Sequence, residues 1–373
     1  NFFAVWRMKW DNLIHKLCFL SLPMSCLYGI GVRFRSKFFD EGILKGESFD
    51  IPVICVGNLA VGGTGKTPFI EYLIRLLKDK YRVAVVSRGY KRLSKGFVLA
   101  GKNHSYMDIG DEPFQIKHKF PEVAVAVDAN RCEAIRQLML LPDEKRPEVI
   151  LLDDAFQHRY VKPSYSLLLT NYHRIYSHDC LIPAGRLREP RSSAQRADMV
   201  VVTKAPLALK PIDYRIVEAD LHLRAHQPLF FTSIEYGKLQ SVFPDKAIAL
   251  TEKAPYTILA VSGIAFPAPF QEKLREMSKT VHVLEFSDHH DFTERDLCHI
   301  SKEFQSIQAK DKLIVMTEKD AARLMAKQNL KEDMMPYCFY LPIQIAFLQK
   351  KQREFDRIIC KHIDDFHRNT INK

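Results

Sequence analysis

No apolar run of 20 residues occurs anywhere in the chain, so nothing in it reads as an ordinary transmembrane helix. None of the eight cysteines forms a Cys-x-x-Cys pair, and no histidine pair stands at zinc-finger spacing from them. A disulfide scaffold does not suit a chain of 373 residues, so the cysteines read as reduced thiols in a cytosolic compartment. With 15 glycines and 19 prolines the composition is neither collagen-like nor low in complexity. The amino-terminal segment lacks a small-residue cleavage site, which argues against a secretory signal. The chain opens on Asn1 rather than methionine, so a natural start upstream is expected.

What is present is globular. Hydrophobic residues make up 47 % and charged residues 27 %, and the length suits two domains with an added segment. The net charge of +11 favours an anionic partner: nucleic acid, anionic lipid or a phosphorylated substrate.

Residues 1–46 stand apart. Phe2, Phe3, Trp6, Arg7, Lys9 and Trp10 interleave rings with cations, Leu17 to Val32 carries no charge, and Arg33, Phe34, Arg35, Lys37, Phe38 and Phe39 follow. That pattern suits a helix lying in a membrane interface, its rings at headgroup level and its cations against anionic lipid. A helix packed on the protein's own core is the alternative.

From Ile51 onward short β-branched runs alternate with helical periodicity. Strands are expected at Ile51–Val56, Arg82–Val86, Glu122–Val127, Val149–Leu152, Leu167–Thr170 and Met199–Thr203, with helices at Thr67–Lys78 and Arg131–Leu141. Continuously apolar strands separated by helices predict an α/β fold around a parallel sheet covered on both faces. Periodicity lapses near Leu221–Gln227. Leu229–Tyr236 and the stretch around Ala247–Leu250 then look like a connecting antiparallel pair. A second α/β region follows, with strands at Thr257–Val261, Val281–Phe286 and Lys312–Met316, and Ile343–Phe366 reads as a long helix. The expected units are residues 1–46, 47–226 and 227–373.

The sharpest motif is Val56-Gly57-Asn58-Leu59-Ala60-Val61-Gly62-Gly63-Thr64-Gly65-Lys66-Thr67-Pro68, between a strand and a helix. Gly62, Gly63, Thr64 and Gly65 would curl amide groups around phosphate oxygens at a helix N-terminus. Lys66 would reach the β- and γ-phosphates, and the Thr67 hydroxyl would hold Mg²⁺. The common form of this loop wants glycine at position 60, where Ala60 stands. Ile150-Leu151-Leu152-Asp153-Asp154 ends an apolar strand in two carboxylates, suited to a metal-organising acid beside the phosphates.

Together these and further motifs resemble the tetraacyldisaccharide 4′-kinase family of lipid A biosynthesis. The loop at 56–68, Ser87-Arg88-Gly89-Tyr90, Gly110-Asp111-Glu112-Pro113, Asp153-Asp154-Ala155-Phe156-Gln157-His158-Arg159 and Gly185-Arg186-Leu187-Arg188-Glu189-Pro190 all match. So do Ser262-Gly263-Ile264-Ala265, Asp288-His289-His290 and Thr317-Glu318-Lys319-Asp320, in order along the chain. The resemblance implies a P-loop lobe and a second α/β/α lobe joined by a two-stranded linker, with an amino-terminal membrane-associated helix. It implies transfer of the ATP γ-phosphate to the 4′-hydroxyl of a tetraacylated glucosamine disaccharide 1-phosphate, with Mg²⁺. The location implied is the cytoplasmic face of a Gram-negative inner membrane, an anionic surface, with neither nucleic acid nor an obligate protein partner.

The resemblance makes Asp111 the candidate base, with His289, or its neighbour His290, orienting it across the two lobes. Read alone, Asp111 is a helix cap before Pro113 sooner than a catalytic group. Lys66 would neutralise the transferring phosphate, and Thr67, Asp153 and Asp154 would hold the metal. The forked cations Arg186 and Arg188 suit a phosphate of ATP or of the substrate, with Arg88 and Arg131 as further contacts. Glu189 either joins the metal shell or pairs with an arginine. Val201-Val202-Thr203-Lys204-Ala205-Pro206 sits where GTPases read guanine, and Pro206 lacks the carboxylate that would do so, which favours ATP. Two rival classes are a nucleic-acid-dependent P-loop ATPase and a nucleotide-switched membrane adaptor.

Overall fold

The computed structural model describes residues 2–101, 103–250, 256–288, 290–325 and 332–371, with side chains from Ser21 to Thr370. The aromatic and basic side chains of residues 2–10 and the whole of His289 therefore lie outside the described residues.

In chain order the first part comprises α1 (Phe2–Asp40), β1 (Val53–Asn58), α2 (Lys66–Leu77), β2 (Val83–Ser87), β3 (Val98–Leu99), α3 (Tyr106–Ile109), α4 (Asp111–Lys119), β4 (Ala124–Val127) and α5 (Arg131–Met139). Then come β5 (Val149–Asp153), β6 (Tyr165–Asn171), β7 (Met199–Thr203), α6 (Pro211–Leu221) and β8 (Leu229–Tyr236). The second part holds β9 (Gln240–Ser241), β10 (Thr257–Ser262), α7 (Ala268–Met277), β11 (Val281–Glu285), α8 (Glu294–Ser306), β12 (Lys312–Thr317), α9 (Glu318–Met325) and β13 (Cys338–Leu341). β14 (Ile343–Phe347) and α10 (Gln352–Ile371) close the chain.

Two sheets result. The larger has nine strands in the order β14-β8-β7-β6-β1-β5-β2-β4-β3, parallel except for β3 and β14. The smaller runs β11-β10-β12-β13-β9, with only β9 antiparallel. The strands Val53–Asn58, Val83–Ser87, Val149–Asp153 and Met199–Thr203 are buried throughout, as continuous apolar runs require in a parallel sheet sandwiched by helices. On one face lie Phe69, Ile70, Leu73, Ile74 and Leu77 of α2, with Phe355, Ile359 and Ile363 of α10. On the other lie Ile135 and Leu138 of α5 with Val217 and Leu221 of α6.

The carboxyl-terminal stretch departs from its sequence reading. Ile343–Phe347 is a strand rather than the start of a helix, and Gln349 and Lys350 at φ 57° and 58° separate it from α10. It pairs antiparallel with β8, so β8 and β14 form the two-stranded connection, not β8 and residues 247–250. The period-four set Phe355, Ile359 and Ile363 then lays α10 on the larger sheet. Thus 343–371 packs with the first unit, although the sequence reading grouped it with the second. Burial of these three side chains contributes about 2 kcal/mol each before entropy is subtracted.

Asn58 ends β1 between β5 and β6, with Val56 opposite Asp153 and Asn58 opposite Leu169. The phosphate-loop motif and the acidic pair therefore emerge side by side at the carboxyl ends of neighbouring parallel strands, where α/β sheets place their ligands. The approach is close enough to exclude a side chain at Gly57: a Cβ there would lie 2.6 Å from the Cβ of Phe156 and 2.9 Å from its backbone nitrogen. Gly57→Ala should lower stability by about 1–3 kcal/mol, read as a reduced urea midpoint with an unchanged slope. A wild-type midpoint would refute this packing.

Candidate active site

The loop after β1 is shaped by two left-handed glycines, Gly62 at φ 110° and Gly65 at φ 80°, conformations a Cβ would strain. Ala60 is not among the left-handed residues; it bridges antiparallel to Leu187, so glycine is not needed there. Val61 N–H donates to the Arg186 carbonyl at 2.8 Å and Arg188 N–H to the Leu59 carbonyl at 2.7 Å. The arginine loop is thus stitched onto the phosphate loop. From inside, the Asn58 amide donates to the Ala60 carbonyl and to Thr64 Oγ1, and Thr203 Oγ1 donates to the Thr64 carbonyl. Lys66 and Thr67 open α2 immediately afterwards.

The paired aspartates differ in environment. Asp154 takes a left-handed φ of 48° and accepts a fork from Arg188, Nη2 to Oδ1 at 2.7 Å and Nη1 to Oδ2 at 3.2 Å. Lys66 Nζ stands 3.6 Å from Oδ2. Burial opposes ionisation, yet Lys66 and Arg188 hold Asp154 below the usual carboxylate range. Asp153 is buried, and burial, Glu112 and Asp154 push it up to about 7. Its Oδ2 accepts a 3.4 Å hydrogen bond from Ser87, while Oδ1 is buried without a partner.

An orphaned carboxylate oxygen beside a phosphate loop fits an Mg²⁺ ion. Asp153 and the Thr67 hydroxyl are the residues that would hold it, with Asp154 next to them. Among the described residues no cluster of three or more His, Cys, Asp or Glu side chains could hold a metal alone. Glu189 is buried against Arg196, whose guanidinium also covers the Phe156 ring, and its Oε1 is buried without a partner. Arg188 also donates to Asn58 Oδ1, so this cation organises the loop as well as facing the site.

Arg88, Arg131, Arg186 and Lys204 form no salt bridge among the described residues. Arg131 is buried, donates to the Ala129 carbonyl, and leaves Nε unsatisfied. Arg186 Nη1 lies 3.8 Å from where a Cβ on Gly62 would stand.

Lys204 was legible in the sequence only as part of a failed guanine reader. It takes a left-handed φ of 56° at the end of β7, and its Nζ lies 3.7 Å from where a Cβ on Gly63 would stand. Burial, Lys319 and Lys66 all lower its pKa, the signature of a cation placed for an anion.

The smaller sheet supplies the far wall through α9. Lys319 pairs with Glu112 at 3.3 Å, Glu318 with Lys119, and Arg323 with Asp111 at 2.7 Å. Asp111 begins α4, so its carboxylate faces the second lobe through Arg323. His290, the neighbour of the undescribed His289, is committed elsewhere: Nε2 lies 2.9 Å from Asp296 Oδ2 and the ring stacks on Phe286.

His158 reports the cationic field. Burial, Arg131, Arg35 and Arg88 push its pKa from 6.5 down to about 4. The folded protein therefore requires a neutral ring. The stability this contributes is complete above pH 6.5 and is lost as pH falls through about 4. His158→Gln should flatten the dependence of Tm on pH over that interval; an unchanged slope would contradict the field.

The chain matches the family model described as tetraacyldisaccharide-1-P 4′-kinase over residues 17–364. It is 51 % identical over 348 residues to the tetraacyldisaccharide 4′-kinase of Parabacteroides distasonis, covering 92 % of this chain and 94 % of that one. It is 48 % identical over 366 residues to the enzyme of the same name from Bacteroides thetaiotaomicron, covering 96 % and 95 %. A crystal structure of LpxK from Aquifex aeolicus in complex with ATP superposes with a TM-score of 0.72 at 29 % identity, over 93 % of this chain and 99 % of that one. With a P-loop, an acidic pair and the family's motifs in place, the chain belongs to the tetraacyldisaccharide-1-P 4′-kinase family and is a phosphotransferase with an alcohol acceptor.

Proposed function

We propose that in this chain the family's phosphoryl transfer runs at the junction of the two sheets, with Asp111 taking the proton of the attacking hydroxyl. The donor is ATP and the acceptor is the 4′-hydroxyl of a tetraacylated glucosamine disaccharide 1-phosphate. The observation that carries this reading is a continuous chain of charge. Lys204 lies over Gly63 of the phosphate loop, Lys319 acts on Lys204, Lys319 pairs with Glu112, and Glu112 adjoins Asp111.

The loop amides between Gly62 and Thr67 grip the triphosphate, and Lys66 and Lys204 neutralise charge on the group in transit. Thr67, Asp153 and Asp154 would hold Mg²⁺, which would supply positive charge for the departing diphosphate. The 4′-oxygen attacks the γ-phosphorus, the bond to the β–γ bridging oxygen breaks, and ADP leaves. Asp111 accepts the hydroxyl proton late in this step, as suits a loose transition state. Arg88, Arg131 and Arg186, without acidic partners among the described residues, bind phosphate on ATP or on the disaccharide. A nucleotide-switched adaptor would have no use for a carboxylate at 111. A nucleic-acid ATPase would need aromatic rings interleaved with cations inside the catalytic lobe.

Helix α1 brings the site to the lipid. One face is bonded to the site loops: Ser25 Oγ to the Leu181 carbonyl, Tyr28 hydroxyl to the Arg188 carbonyl, and Arg159 to the Ser36 carbonyl and the Asp40 carboxylate. The opposite stripe, Met24, Leu27, Ile30, Phe34 and Phe38, is exposed, with Leu27 at 70 %. No described helix is long and apolar enough to cross a membrane, so α1 is read as lying in the interface of an anionic inner-membrane leaflet.

Asp111→Ala should reduce kcat about 100-fold or more while the Kd for ATP stays within about 2-fold. Collapse of ATP binding would place Asp111 in the nucleotide site instead. Lys204→Ala should weaken ATP binding and turnover together, and unchanged kinetics would remove it from the site. Leu27→Glu with Phe34→Glu should release the protein from anionic vesicles without changing ATP affinity; retained partition would defeat the interfacial face.

A further inference from the structure

Arg323 carries no motif signal, yet it is a side chain of the second lobe that holds Asp111. Both of its outward nitrogens converge on one oxygen: Nη2 donates to Asp111 Oδ2 at 2.7 Å and Nε to the same atom at 3.2 Å. The guanidinium is itself immobilised. It is only 3 % exposed, and Nη1 donates to Asp320 Oδ1 at 3.1 Å and to the Gly263 carbonyl at 3.4 Å. Asp320 is wholly buried, and its Oδ2 accepts from Gly263 N–H at 2.9 Å and from Thr317 Oγ1 at 2.5 Å. The loop after β10 leaves no slack, since a Cβ on Gly263 would lie 3.1 Å from Asp320 Oδ1 and 3.3 Å from the Ser287 carbonyl. A line of charge-assisted contacts thus runs from the buried Gly263–Asp320 pair through Arg323 to the part-buried Asp111 carboxylate.

We propose that Arg323 is a positioning residue for the reaction: anchored by Asp320, it fixes the Asp111 carboxylate toward the acceptor hydroxyl and makes that orientation depend on the second lobe. This rests on the reading of Asp111 as base. A carboxylate at the first residue of a helix turns freely about two torsions unless something holds it, and productive proton transfer needs one narrow orientation. Two donors on one oxygen, from a guanidinium that cannot itself rotate, restrict those torsions. The remaining rungs between α4 and α9, Glu112 with Lys319 and Lys119 with Glu318, keep the two helices in register, so the carboxylate is aligned only while the lobes are together.

The test uses the full chain with ATP, Mg²⁺ and the lipid disaccharide. Arg323→Ala should lower kcat about 100-fold with KM for ATP within about 2-fold, because orientation rather than nucleotide binding is lost. Arg323→Lys keeps a cation beside the buried Asp320 but loses the fork. It should fold with a near-native Tm and recover part of the loss, remaining about 10-fold below wild type. Added to Asp111→Ala, either substitution should change the single-turnover rate by less than about 2-fold, since both act through one carboxylate. Wild-type kcat in a folded Arg323→Lys, a rise in KM for ATP without loss of kcat, or full multiplication of the losses in the double variant would each overturn the proposal. A fully active Asp111→Ala would instead sink the base assignment, a result distinct from these.

Discussion

Uncompensated positive charge at the carboxyl ends of β1, β5 and β7 is the constraint around which the rest is arranged. Lys66 and Arg188 share Asp154, whereas Lys204, Arg88, Arg131 and Arg186 form no salt bridge among the described residues. Holding so many cations together in a partly buried cleft is unfavourable unless an anion is expected there, and the depressed pKa values of Lys204 and His158 register that tension. The triphosphate proposed for the amide cradle of residues 62–67 would relieve it. Two non-glycine residues at strand ends, Asp154 and Lys204, hold left-handed backbones, strain of about 1–3 kcal/mol each that the surrounding sheet absorbs.

The second lobe completes the site rather than decorating it. Helix α9 turns its charged residues Glu318, Lys319 and Arg323 toward α4, and the TEKD segment that opens it is thereby explained. Glu318 locks onto Lys119, Lys319 onto Glu112, and Asp320 turns inward to hold Gly263 and Arg323. Glu71 on α2 joins the same ladder through Lys119, and burial together with Glu318 raises its pKa. The helix that Lys66 opens is thus tied to α4, the helix that Asp111 opens.

Much of this was readable before any coordinates. Strands buried on both faces leave runs such as Val53–Asn58 and Met199–Thr203 that no amphipathic helix would show, and the phosphate loop declares itself by its place between strand and helix. Ile343–Phe347 was hidden because five mostly half-buried residues preceding an amphipathic helix merge with its pattern, and the left-handed Gln349 and Lys350 that separate them leave no mark in residue type. The partner of β8 was hidden because antiparallel pairing across more than a hundred residues is set by packing, not by local pattern. Arg323 carries no signal beyond lying one helical turn after Asp320. Lys204 was visible as a residue, but its role depends on a strand end that only the sheet order brings beside Gly63.

The most direct test of this arrangement is a crystal structure of the full chain with a non-hydrolysable ATP analogue and Mg²⁺. The γ-phosphate should lie against Lys66 and Lys204, with the Asp111 carboxylate about 5–6 Å from the γ-phosphorus, the gap that one attacking hydroxyl fills. A triphosphate seated in the loop with Asp111 still paired to Arg323 but more than about 10 Å from the γ-phosphorus would contradict the account.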